Sequence, residues 1–121
     1  MHHPQLTHLA HIEAARILQR AGRHPVPPLL RVCDVKCGRW SHRTGNITLP
    51  AWLWLEDYPP DFVEWYVAHE LAHALNGVPG HGLPFQLTLW SLAPNAWHWE
   101  TTYKARQYAR AHACIYGTPG I

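Results

Sequence analysis

The sequence predicts one α+β domain covering residues 1–121, a small β-sheet flanked by helices. Three observations carry that prediction. An apolar stripe at helical spacing opens the chain, short β-like runs follow it, and a long apolar helix bracketed by prolines and a glycine lies past the middle.

Taken in order, Leu6, Leu9, Ala10, Ala14, Ile17, Leu18 and Ala21 recur at helical spacing, so a first helix should run from Gln5 to Ala21 and stop at Gly22. Pro25, Pro27 and Pro28 break the chain there. Leu29 to Val35 and Ile47 to Leu49 are β-like, joined by a polar segment containing Gly45-Asn46, and should pair as a small sheet. Trp52 to Leu55 adds weaker strand density. Pro59 and Pro60 fix the start of the next helix with Asp61 as its expected N-cap, and Gly77 is its natural C-cap before Pro79-Gly80 turns the chain. Pro84 to Leu92 reads as a short helix, Pro94-Asn95 as a break, and Glu100 to Cys114 as a final amphipathic helix.

Composition agrees with a globular domain: 47% of the residues are hydrophobic and 15% charged, which excludes a disordered chain. Of the seven tryptophans, Trp52, Trp54 and Trp65 are expected in the core, while Trp90, Trp97 and Trp99 could also wall a groove. Three cysteines make no disulfide framework and suggest buried thiols, with Cys33, Cys37 and His42 a weaker second metal set. No apolar run matches a membrane span or a secretory signal, so the expectation is a soluble, intracellular, cytoplasmic protein with no membrane partner.

The chemistry is concentrated in His69-Glu70-Leu71-Ala72-His73 and the following His81-Gly82. Histidines four residues apart lie on one face of a helix and can converge on one tetrahedral Zn²⁺. Glu70 then sits beside the metal without ligating it, where a carboxylate can take a proton from zinc-bound water whose pKa has fallen to about 7. His81 follows a chain reversal that can return it to the first two histidines as third ligand, leaving the fourth position open. Metzincin spacing is excluded, because Asn76 and Pro79 stand where that pattern needs glycine and histidine. Glu100 and His98 are the rival third ligands, by analogy with sites completed by a later helix. For stabilising a tetrahedral oxyanion the candidates are Tyr103, His98 and Tyr66.

Taken together, Lys36-Cys37-Gly38-Arg39-Trp40, Gly45-Asn46-Ile47-Thr48-Leu49, the helix carrying His69 and His73, and His81-Gly82-Leu83-Pro84-Phe85 resemble a SprT-like metallopeptidase domain. The same residues are similar to the related YgjP-like peptidases, and the resemblance runs from about Arg39 to Trp90. It implies a zincin-like fold, one Zn²⁺ per chain on His69, His73 and His81, Glu70 as catalytic acid/base, and a protein or peptide substrate. Two departures stand out. The cysteine-rich zinc ribbon of many SprT-like proteins has no counterpart beyond the single Cys114, and Ser41-His42-Arg43-Thr44 replaces a run common in YgjP-like sequences.

Charge is uneven along a chain whose net charge is +2. Arg16, Arg20, Arg23, Arg31, Lys36, Arg39 and Arg43 crowd the first half, whereas Glu56, Asp57, Asp61, Glu64, Glu70 and Glu100 dominate the second. A basic half can touch the phosphates of DNA, although a solvated basic face is the plainer reading. Two functions follow as expectations: a zinc peptidase, or a non-catalytic, zinc-stabilised adaptor that binds DNA or protein. Glu70 favours the enzyme, since a closed structural site has no use for a base beside an open coordination position.

Overall fold

A computed structural model describes residues 2–23, 29–41, 43–77, 80–95 and 98. The first helix, α1, spans Pro4–Arg20, with proline in its first turn and Ala10, Ala14, Ile17 and Leu18 as its buried stripe. Its extent matches the periodic run within a residue at each end.

The sheet holds β1 (Leu30–Cys33), β2 (Arg39–Trp40) and β3 (Ile47–Pro50) in the order β1-β3-β2. β1 and β3 pair as expected, in parallel, with Leu30 opposite Ile47 and Cys33 opposite Pro50. The Gly45-Asn46 segment does not join these two directly. It closes a hairpin between β2 and β3, with Gly45 at φ 78° and the Ser41 N–H donating to the Asn46 carbonyl at 2.8 Å. β2 lies antiparallel to β3, so that β3 enters between its neighbours and runs alongside β1.

Trp52–Leu55 forms α2, a single helical turn, and not a strand. Ala51, Trp52 and Leu53 are all buried, a contiguous burial that strand alternation does not provide; the turn sets Trp52 against Tyr58 and Tyr66, and its indole donates to the Lys36 carbonyl at 2.8 Å. The long helix α3 spans Pro60–Asn76. Asp61 is not its cap: Pro59 occupies that position, and Asp61 sits inside the first turn, where its charge still favours the helix N-terminus. Gly77 closes the helix at φ 69°, its N–H on the His73 carbonyl. α4 follows at Leu83–Leu92. The expected helix from Glu100 to Cys114 lies outside the described residues.

α3 runs through the centre, packed on α1, α4, β2 and β3. Val67, Ala68, Leu71 and Ala72 are 0% exposed, so its middle is enclosed on every side. Of the tryptophans, Trp52 and Trp65 are core, Trp54 is half-buried and Trp90 is exposed; Trp97 and Trp99 lie outside the described residues. Arg20 ties α1 to both neighbouring helices, bonding the Glu64 carboxylate of α3 and the Leu92 carbonyl at the end of α4. The expectation of unlinked thiols fails at Cys37, which is disulfide-bonded, whereas Cys33 is free and half-buried. Cysteine usage therefore gives no guide to compartment. Among the described residues no helix is long and apolar enough to cross a membrane.

Candidate metal centre

His69 and His73 stand one turn apart on α3, both buried, at 1% and 7% exposure. Gly77 reverses the chain, and Gly82, in an extended conformation, caps α4 so that His81 comes back over the same helix face. His81 Nε2 lies 3.2 Å from His73 Nε2 and 3.2 Å from His69 Nε2. One nitrogen position on each of three rings thus points at a common centre. Hydrogen bonding alone does not explain this, because a shared proton satisfies one pair and leaves the third lone pair facing two others. Tetrahedral zinc with Zn–N bonds of ~2.0–2.1 Å separates its nitrogen ligands by about 3.3 Å, and the observed spacing fits.

The electrostatics agree with that fit. Burial, reinforced by the facing His73 and His81 rings, holds His69 well below its ordinary pKa, and burial lowers His81 as well. Neutral imidazoles are what a metal requires. His81 remains exposed, so the centre is walled on the α3 side and open on the other. Among the described residues no further histidine, cysteine or carboxylate joins the group.

Glu70, between the two helical ligands in sequence, is 5% exposed. Its Oε2 is fully buried with no hydrogen-bond partner among the described residues. Burial pushes its pKa up to about 7. A buried carboxylate oxygen without a donor is costly, so an acid that keeps one on the helix that carries His69 and His73 asks for an explanation.

Aromatic rings fix the histidines. Phe85, at the start of α4 and 1% exposed, stacks on His73 at 4.5 Å between centroids. It also meets His69 at 4.9 Å and His81 at 5.0 Å, edge to face. Trp40 of β2 lies nearly parallel to the His73 ring, 8° between planes and 6.3 Å between centroids. Neither role is legible in the spacing of the histidines itself.

The other sequence candidates fall elsewhere. Tyr66 is wholly buried between Trp52 and Trp65, and its hydroxyl accepts the Gly38 N–H at 3.0 Å. Burial raises its pKa, keeping the phenol protonated. That hydroxyl braces the segment leading into β2. The described part of His98 is half-buried, its backbone N–H on the Asn95 carbonyl, and it does not join the histidine group. Glu100 and Tyr103 lie outside the described residues. Cys33, Cys37 and His42 form no metal group among the described residues. No protein-family model matches this chain, and neither the curated proteins nor the solved structures yield a match, so the geometry of the centre carries the functional reading.

Proposed function

We propose that this chain is a zinc-dependent, SprT-like peptidase that holds one Zn²⁺ on His69, His73 and His81 and uses Glu70 as its acid/base. The observation that carries the reading is the convergence of three Nε2 atoms, two of them on the helix that also carries Glu70, a buried carboxylate with an oxygen unpartnered among the described residues. A structural zinc site takes four protein ligands; among the described residues this centre has three, with an exposed side.

The metal, when bound, supplies a Lewis acid that polarises a peptide carbonyl and acidifies water. The chain supplies the rest. Glu70, with its pKa lifted by burial, is matched to accept a proton from the attacking water and to deliver it to the leaving amine. His69 and His73, locked between Trp65, Phe85 and Trp40, keep their lone pairs on one point without rearrangement. The exposed His81 side is where an extended peptide gains access. An adaptor role has no use for the buried Glu70.

The test is hydrolysis of an unstructured protein such as casein, with metal content measured in parallel. Glu70→Gln should bind zinc as the parent does and lose turnover by at least about 100-fold. Unchanged hydrolysis by Glu70→Gln would refute the scheme.

A further inference from the structure

His69, His73 and Asn76 stand at i, i+4 and i+7 on α3, so all three share one face of that helix. Phe85 and Thr88 stand one turn apart on α4. Two contacts join these rows across the helix pair. Phe85 stacks on His73, and one turn further along the Thr88 hydroxyl donates to the Asn76 carboxamide oxygen at 3.3 Å. The Asn76 amide nitrogen donates in turn to the Ala72 carbonyl at 2.9 Å, which fixes the way the carboxamide faces. Thr88 shares its hydroxyl hydrogen with the Pro84 carbonyl at 3.0 Å, so the link from Asn76 reaches the first turn of α4.

His81 lies between the two helices on a segment that does little to place it. Gly77, Gly80 and Gly82 all fall in residues 77–82, and a Cβ at Gly77 or Gly80 would meet nothing within 4 Å. Glycine loses the most conformational freedom on being ordered, so a ligand on such a segment is held only as firmly as the segment's two ends. One end is Asn76, the last residue of α3. The other is the opening turn of α4, where the Gln86 side chain donates to the His81 carbonyl at 3.4 Å and the Gln86 N–H to the Gly82 carbonyl at 3.0 Å. The bond between Asn76 and Thr88 closes one end onto the other. The buried face of α4, Phe85, Leu89 and Leu92, adds an attraction without direction, whereas a hydrogen bond specifies where α4 stops along α3. A slide of ~1 Å is half a Zn–N bond length, enough to take His81 off the centre. We propose that Asn76 and Thr88 are positioning residues for zinc: their bond sets α4 against α3 and so keeps His81 on the point that His69 and His73 define.

This inference rests on the metal reading above and needs no peptidase activity for its test. Zinc affinity of the full chain is measured by competition with a chromogenic chelator, and the visible spectrum of the cobalt-substituted chain is recorded beside it. Tetrahedral Co²⁺ absorbs far more strongly than Co²⁺ in a site opened to extra water. Thr88→Val keeps the shape of the side chain and removes the hydroxyl, and Asn76→Ala puts a better helix former at the end of α3. Each should weaken zinc about 10-fold and dim the cobalt bands, with metal-free circular dichroism unchanged. Thr88→Ser retains the hydroxyl and should keep both readouts at the parent's values. In a His81→Ala background Thr88→Val should cost no further affinity, because the bond acts through His81. Parent affinity in both single variants, or the same loss with His81 present and absent, overturns the proposal and leaves the metal site standing. So does a loss that Thr88→Ser shares with Thr88→Val. A parent chain that takes up neither zinc nor cobalt removes the metal reading itself, and this inference with it.

Discussion

Phe85 touches all three histidine rings, and a ring so placed controls where their lone pairs point. Phe85→Leu keeps the apolar volume but loses the flat faces; it should weaken zinc binding roughly 10-fold, read by competition with a chromogenic chelator, while the fold survives. An unchanged affinity would show that the backbone alone sets the ligand geometry. His81→Ala removes the one ligand that α3 does not carry, and bound zinc should fall well below one per chain in metal analysis. A full complement in that variant would return the third position to another residue. The two helical ligands and Glu70 were legible from their spacing alone, because helical periodicity is local. The aromatic contacts were not, since Trp40 reaches His73 only through the fold of the sheet onto α3.

At the scale of elements, the segment between β1 and β2 is pinned to α3 by the bond from the Gly38 N–H to the Tyr66 hydroxyl. A Cβ at position 38 would meet Tyr66 Cε1 at 2.9 Å and the Thr48 carbonyl at 3.2 Å, so the close approach needs glycine. Gly38→Ala should therefore destabilise the chain by about 1–3 kcal/mol in denaturant unfolding. A neutral result would mean that this segment moves away from α3 at little cost. Gly38 announces this contact to no local rule. The same holds for β2, whose two residues are too short for any alternation to register, and for the parallel pairing of β1 and β3, which goes with β2 pairing antiparallel on the other edge of β3. Trp52–Leu55 misleads for a different reason: a short apolar run of tryptophan and leucine has no period of its own, and the helical turn buries Trp52 and Leu53 together while Leu55 stays exposed.

For the whole molecule, a metal that binds only the folded chain stabilises it by mass action. With free zinc at about 100 times its dissociation constant the gain is about 2.7 kcal/mol, which for a small domain raises Tm by roughly 10 °C. Chelation should reverse that shift in a thermal melt, and an identical melting curve with and without chelator would remove the metal from the account. The predicted α+β architecture stands, built as helices around a three-stranded sheet, because the core follows apolar patterning that is written along each element. Yet the three converging histidines occupy very little of that architecture: all lie within residues 69–81, two on α3 and one just before α4. On the proposed site an ion would therefore enter or leave from the exposed His81 side while α1 and the sheet stay closed. The lifetime of a zinc ion held there would accordingly be set around His81, so variants that loosen the sheet should lower the melting temperature without hastening the exchange of zinc.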